Sequence, residues 1–479
     1  MSAASLLTEM GRDSNTPVRL RHALVAGSLD GASAGLDTVR RPLDLEDVRF
    51  TGEVALRQVA FLAPVRVHGS AFEGGLSLQG ASFHEPAGFQ AIIVDRQANL
   101  RGAAFLAGAD FTDGEFRGVG SLIETRFEGG ESSFRRVRFR SGAYFEGARF
   151  GVPADFSSAT FGDVASFKET EWSDASFAGA RFWGRVLFWE SVFAGTARFD
   201  KARAERQVSF DRARFEGPAS FQEFIFADPA GFSGVRALEE VGFAGAYFRK
   251  DADFRGGTFS GELNLAGRVQ QGLDLRRVRG STVTFLAADP AQVTFGDSAA
   301  LYLQEARWDE LRFRWDELRG RLAAADPGSI DDLEPVYADL GAQLRSQGRF
   351  RDAEACHAEW MDLRRRHLGW SDPARWGLEL YGRSSRYGTD LGRFAGAAAS
   401  AVLLFGLLYR LGRGGLAPVT GAARASLLDC LFFSLQTFVR SGQTSWRPTG
   451  ALRLLVNLQA LLGWIGLALL VVTLLSPLR

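Results

Sequence analysis

Histidine, cysteine and paired carboxylates are the residues from which a metal site, a nucleophile or an acid–base pair would be built. This chain has five histidines and two cysteines. His22, His68, His84, His357 and His367 are dispersed and share no metal-ligand spacing. Cys356 and Cys430 stand in regions of different composition, which argues against a disulfide framework and suits a reducing compartment. No glycine-rich phosphate loop follows a strand and opens a helix. The adjacent acids Glu239 and Glu240 read as a solvated edge. Catalysis needs a convergent constellation. The expectation is therefore a protein that binds or scaffolds, with no enzymatic activity, no cofactor and no metal.

The elements that carry these residues differ along the chain. Its 479 residues exceed one compact domain, and its 40 phenylalanines concentrate before residue 300. Long Leu/Val/Ala runs concentrate after residue 390. The 56 basic and 56 acidic side chains balance, so nothing draws the whole chain to nucleic acid or to anionic surfaces. Glu9, Arg12 and Asp13 interrupt the first thirty residues, and no secretory signal is expected there.

A repeat dominates the first part. Its large residues step by alternating fives and sixes: Phe134, Phe139, Phe145, Phe150, Phe156, Phe161, Phe167, Trp172. After Phe177 and Phe182 the rhythm resumes at Phe188, Phe193, Phe199 and runs on through Phe210, Phe221, Phe232, Phe243 and Phe254. Two residues before many of these stands a small one, as at Ala143, Ala154, Ala165 and Ala219. A two-residue offset puts both on one face of an extended chain. Each repeat thus sends one large and one small side chain inward, and a coil that closes and stacks on its neighbours explains the period.

The repeat, from Val18 to Phe295, resembles the pentapeptide-repeat family, as in Ala-Arg-Phe at 148–150, Ala-Asp-Phe at 154–156 and Ala-Ser-Phe at 165–167. That resemblance implies a right-handed quadrilateral β-helix with four repeats per coil. Roughly eleven coils at ~4.8 Å would form a rod of about 50 Å. The six-residue steps predict an extra residue at corners. Some members of the family mimic duplex DNA through an acidic surface. Between Phe50 and Phe295 there are 28 basic and 30 acidic side chains, too neutral a rod for that use, and no nucleic-acid partner is expected.

Helical signals begin after Ala299. Arg307-Trp-Asp-Glu-Leu-Arg312 recurs as Arg314-Trp-Asp-Glu-Leu-Arg319. The heptad predicts one helix with Trp308, Leu311, Trp315 and Leu318 on a stripe, capping the solenoid or meeting a partner. Segments 335–344 and 351–366 predict a helical hairpin around the turn Ser346-Gln-Gly-Arg-Phe350, of tetratricopeptide type.

Two uncharged runs follow, Phe394–Tyr409 and Leu454–Leu478. They predict two transmembrane helices, at about 393–411 and 452–477. Seven arginines between Arg364 and Arg393 precede the first, which puts that end and the solenoid in the cytoplasm. A third apolar stretch, 427–439, is too short to cross and predicts a re-entrant helix. Span, short helix, loop and span resemble the pore module of two-helix potassium channels. Phe433-Ser-Leu-Gln-Thr-Phe438 matches its pore-helix end and Gly463 its inner-helix hinge glycine. The implied pore loop comprises Thr437, Val439, Arg440, Ser441, Gly442, Gln443 and Thr444. It departs from a carbonyl filter of Thr-Val-Gly-Tyr-Gly type, because Arg440 stands for a hydroxyl residue and Thr444 for the second glycine.

The expected organisation is a flexible N-terminus (1–17), a mostly β solenoid (18–298), a helical linker (299–390) and a membrane domain (391–479) in the cell membrane. Three functions stay open: a pore-forming subunit, tetrameric if it conducts; a membrane-tethered scaffold for a protein partner; and a DNA mimic. Membrane lipid is a partner in the first two.

Overall fold

The computed structural model of the chain describes residues 1–14, 16–286, 295–325, 330–412, 415–419, 425–439 and 445–475. They fall into two units, Met1–Ser329 and Ile330–Arg479.

The first unit is a β-solenoid of about twelve coils with four faces, each a stack of parallel strands in register. On the first face Val18–Arg21 pairs with Leu43–Glu46, and that with Val65–His68. Arg49–Phe50 and Ala71–Phe72 lie on the second face, Val54–Ala55 and Leu76–Ser77 on the third, Ala60–Phe61 and Ser82–Phe83 on the fourth. Successive coils therefore differ by about 22 residues.

Two kinds of corner explain this length. At five-residue steps the chain makes a tight turn: Ala148 N–H donates to the Phe145 carbonyl at 2.9 Å, with Gly147 at φ +64°. At six-residue steps, such as Phe150 to Phe156, the extra residue sits in a wider bend, where sequence reasoning put it. The tight turns require a left-handed residue, yet Arg136, Glu169, Lys201 and Glu223 occupy such positions at φ +53° to +57°. That conformation costs a non-glycine residue about 1–2 kcal/mol. It persists because the coils above and below fix the backbone on both sides.

The inward residues form four columns. Phe134, Phe145, Phe156, Phe167, Phe188, Phe199, Phe210, Phe221, Phe232, Phe243 and Phe254 are each at most 1 % exposed and belong to two of them, those of the first and third faces. Within a column the rings stack, Phe134 on Phe156 at 4.5 Å and Phe167 on Phe188 at 4.8 Å. Between columns they meet edge to face, as Phe188 and Phe199 do at 5.3 Å and 82°. Burying each ring contributes ~1.5–3 kcal/mol, more than water-screened exposed ion pairs such as Arg136–Asp113 add. Where Trp172 replaces a ring, its indole N–H donates to Thr170 Oγ1 at 2.9 Å, so a hydroxyl takes the small register.

Both ends depart from expectation. The segment expected as a flexible N-terminus contains a helix. Ala3–Met10 is a helix (α1) whose Ala3, Leu6 and Met10 are buried, and whose Ser2 side chain accepts from Ser5 N–H. The first coil would otherwise leave its interior open, and α1 covers it. The ladder also continues past residue 298. Arg307–Arg312 is a strand paired with Arg279–Thr284, and only the second hexapeptide copy turns into a helix, Trp315–Leu318 (α2). The expected single helical stripe is absent. Trp308 is half-buried on a strand while Trp315 is buried beyond it.

The second unit is helical: α3 (Leu333–Ser346), α4 (Phe350–His367), α5 (Pro373–Ser385), α6 (Leu391–Leu411), α7 (Leu427–Val439) and α8 (Leu452–Leu475). The expected hairpin is α3 and α4, locked where Tyr337 packs on Trp360 at 5.5 Å and donates to Glu359 at 2.9 Å. Burial pushes the Cys356 thiol up to about 12, so this cysteine stays protonated. The long apolar helices α6 and α8 and the short α7 match the expected segments within two residues at each end. Helix α5 was not anticipated.

One packing irregularity gives a direct test. Ala204 interrupts the second-face column, which runs Phe182, Ala204, Phe226. Phe248 covers one side of Phe226 at 4.6 Å. Phe224, at a position normally small, stacks on Phe226 at 4.0 Å and so fills the other side, over Ala204. Phe224→Ala should cost about 3–5 kcal/mol locally and speed amide exchange around residues 200–226. Adding Ala204→Phe should restore protection, because it returns the column to its regular form. An uncompensated double variant would refute the assignment.

Candidate functional site: a short helix held between two apolar helices

Among the described residues no three His, Cys, Asp or Glu side chains group as metal ligands would. The charge of the solenoid is instead sorted by face. The fourth face carries an outward arginine column, Arg126, Arg149, Arg214, Arg236, Arg279 and Arg307, and the opposite second face carries Arg49, Arg138, Arg181, Arg203 and Arg268. Between them the outward positions of the third face hold Asn99, Asp253 and Asp274, while Ser77, Ser166 and Ser209 in the same column are buried among their neighbours. Arginine thus enters just before the ring after a tight turn, and Asp, Ser or Asn does so after a bend.

The helices α6, α7 and α8 form the more distinctive site. Both long helices are apolar enough to cross a membrane by length and composition. The thirteen residues of α7 cover only ~20 Å. Around it the chain starts and returns at the same end. Leu416–Pro418, just after α6, pairs antiparallel with Trp446–Pro448, just before α8. Thr449 Oγ1 closes the same end by donating to the Gly415 carbonyl at 2.8 Å. Helix α7 then runs alongside α8 and antiparallel to α6 for about half their length.

Two glycines permit this packing. A Cβ on Gly406 would meet Leu431 at 2.5 Å, and one on Gly463 would meet the Phe438 carbonyl oxygen at 2.2 Å. Gly463 therefore lies in an unbroken α8 at the point of closest backbone approach to α7.

A buried hydrogen-bond chain joins all three helices. Tyr409 Oη donates to Gln459 Oε1 at 2.6 Å. Gln459 Nε2 donates to the Ser434 carbonyl at 3.0 Å and to Ser434 Oγ at 2.6 Å. Ser434 Oγ donates to the Val402 carbonyl at 2.8 Å. Gln459 and Ser434 are both 0 % exposed, and the amide uses its donors and its acceptor. In an apolar surround such groups are costly unless paired.

The expected pore-loop residues are placed only in part. Thr437 is buried and donates to the Phe433 carbonyl at 2.8 Å, while Val439 is exposed at the end of α7. Arg440, Ser441, Gly442, Gln443 and Thr444 lie outside the described residues. Gln459 and Tyr409 were missed. The available signal was an amide inside a run of Leu, Val and Ala, where a polar side chain needs a partner.

Two tests follow from this geometry, read as unfolding of the second unit in the full chain in detergent. Gly463→Ala should destabilise it by at least ~1–3 kcal/mol, since a backbone carbonyl cannot move aside. Gly466→Ala should cost less, because its nearest neighbour is the tip of the Phe438 ring at 3.3 Å. Gln459→Leu should cost about 1–2 kcal/mol by orphaning Tyr409 and Ser434. Equal effects of the two alanine variants, or a neutral Gln459→Leu, would contradict the packing described.

A family model described as Pentapeptide repeats (9 copies) matches residues 156–203. No curated protein matches the chain. Among solved structures the chain is similar to HetL, a pentapeptide repeat protein involved in heterocyst differentiation regulation from the cyanobacterium Nostoc sp. strain PCC 7120. The identity is 14 %, the match covers 47 % of this chain and 84 % of that one, and the TM-score is 0.19. The matched repeats lie in the ring columns, where the five- and six-residue steps, the four faces and the small–polar–large register coincide. Residues 156–203 thus match pentapeptide repeats, within a β-solenoid that is followed by a helical region with two apolar helices.

Proposed function

We propose that the chain is a membrane-anchored pentapeptide-repeat protein whose α6–α8 segment is a re-entrant, pore-type module. Helices α6 and α8 cross the bilayer and the solenoid stands in the cytoplasm. The observation that carries this reading is that Leu416–Pro418 and Trp446–Pro448, on either side of α7, lie together at one end of two apolar helices while α7 runs along about half their length. The arginines before α6 support the orientation. The exposed apolar stripe of α7, Leu428, Phe432, Leu435 and Val439, suits contact with further copies in a tetramer. Arg440 at the pore loop would disfavour cations in such an assembly and favour anions. The outward arginines of the second and fourth faces, with Asp253 and Asp274 on the third, give a protein partner complementary charge.

A second reading has its own support. The buried polar groups of Tyr409, Ser434 and Gln459 are spent on each other, which suits a rigid anchor that conducts nothing and tethers the solenoid as a scaffold.

Full-length protein in liposomes separates the two. The pore reading expects ion flux above that of empty vesicles and a changed ion preference in Arg440→Thr. It expects also a tetrameric mass in detergent. Silence of both proteins, or a monomer, removes the pore and leaves the anchor.

A further inference from the structure

The surface of α5 is inverted for a helix in water. Its outward stripe carries Pro373, Trp376, Gly377 and Leu380, with Arg383 at its end. Its inward side carries Glu379, which pairs with Arg365 of α4 and at 2.9 Å with the exposed Arg383, and Arg375, which donates to the Leu368 carbonyl at 2.7 Å, beside Tyr381 packed edge-on against Tyr387. Trp376 is 56 % exposed and Leu380 49 %. Trp370, in the turn before α5, is 69 % exposed, lies under the Arg375 guanidinium at 3.8 Å, and accepts on its carbonyl from the Trp376 indole at 3.1 Å. Two tryptophans and a leucine are thus held rigidly outward while polar groups are folded inward. A helix normally buries its apolar stripe.

Position and charge identify what covers this stripe. Five residues separate the end of α5 from the start of α6. That link is pinned. Arg386 and Tyr387 are both left-handed, at φ 48° and 59°, and the buried Tyr387 donates to Asp362 at 2.6 Å and accepts from Arg365 at 3.1 Å. Burial and the Asp362 carboxylate push the Tyr387 phenol up to about 12, so the pin holds across the neutral range. The segment from Arg364 to Arg393 has seven arginines and three acids. Arg364, Arg366, Arg383 and Arg386 are exposed. Tryptophan beside exposed arginine, at the end of an apolar helix, is the composition of a membrane–water interface.

We propose that α5, with Trp370, is an interfacial helix that lies in the headgroup layer and binds anionic lipid. Its tryptophans and Leu380 sit at the acyl boundary and its arginines meet phosphate. The proposal rests on the membrane reading of α6 and α8. It adds a contact that senses lipid charge, placed where the chain enters the bilayer.

The test uses the full chain in vesicles. Both native cysteines are buried, Cys356 at 0 % and Cys430 at 2 %, so Leu380→Cys and Leu403→Cys can be labelled selectively with an environment-sensitive fluorophore. Vesicles are either pure phosphatidylcholine or contain phosphatidylglycerol, with lipid-borne quenchers near the headgroup or deep in the chains. The expected result is deep quenching at 403 and shallow quenching at 380. The signal at 380 should strengthen with phosphatidylglycerol, and Arg383→Gln with Arg386→Gln should abolish that increase. A label at 380 open to an aqueous quencher while 403 remains lipid-quenched overturns the interfacial helix and leaves the membrane reading intact. Loss of quenching at 403 overturns the membrane reading itself. Quenching at 380 that ignores lipid charge overturns the anionic specificity.

Discussion

The spacing between parallel strands, ~4.8 Å, governs the first unit. Once coils stack at that rise, rings in one column are brought to the contact distance of stacked aromatics, and Phe134, Phe156 and Phe177 follow at 4.5 and 4.9 Å. Every other property has to respect it. A coil must return to the same lateral position, so its length is held near 22 residues by one tight turn and one bend in alternation. A left-handed residue recurs at each tight turn whether or not glycine is present. A missing ring cannot be left empty, and Phe224 leans across to fill the gap over Ala204.

The columns were legible in the sequence because the constraint recurs often enough to be counted. What recurs only twice was not. Arg307–Arg312 and Arg314–Arg319 have the same sequence, yet one is a strand and the other contains a helical turn. The first copy meets the open edge of Arg279–Thr284, whose carbonyls and amides need partners. The second turns its Trp and Leu inward through a local helix before Leu322 bridges back to Leu301. Intrinsic preference was equal; neighbouring backbone decided. The α1 cap was missed for a related reason. Its stripe of Ala3, Leu6 and Met10 is too short to stand out, and only the open coil beneath it makes burial worthwhile.

In the second unit the apolar runs were legible from composition, and their ends agree closely with α6, α7 and α8. The interior was not. Gln459 is one letter in a long run, and its role follows only once Tyr409 and Ser434 converge on it from two other helices. Gly463 was read as a hinge by resemblance, and the structure adds a packing reason for a missing side chain there, a carbonyl at 2.2 Å from where a Cβ would stand. Helix α5 escaped notice because its pattern is reversed. A search for a stripe that faces the core finds polar residues, and the stripe that matters faces out.

The two units answer one requirement by different means, since a buried peptide group must have a partner. In the solenoid each strand borrows the next coil, so the ladder is sound only where both neighbours exist and its ends need α1 and the residues beyond Arg312. In the helices each peptide group is satisfied within its own segment, and the remaining problem is side chains. There Tyr409, Gln459 and Ser434 are tied in one chain of hydrogen bonds across three helices. That difference predicts where each unit tolerates change. The solenoid yields at exposed corners, where a lost ion pair costs little, and resists in the columns. The apolar helices yield on their outward leucines and resist at Gln459, Ser434 and Gly463, where one atom in the wrong place separates α7 from both of its neighbours.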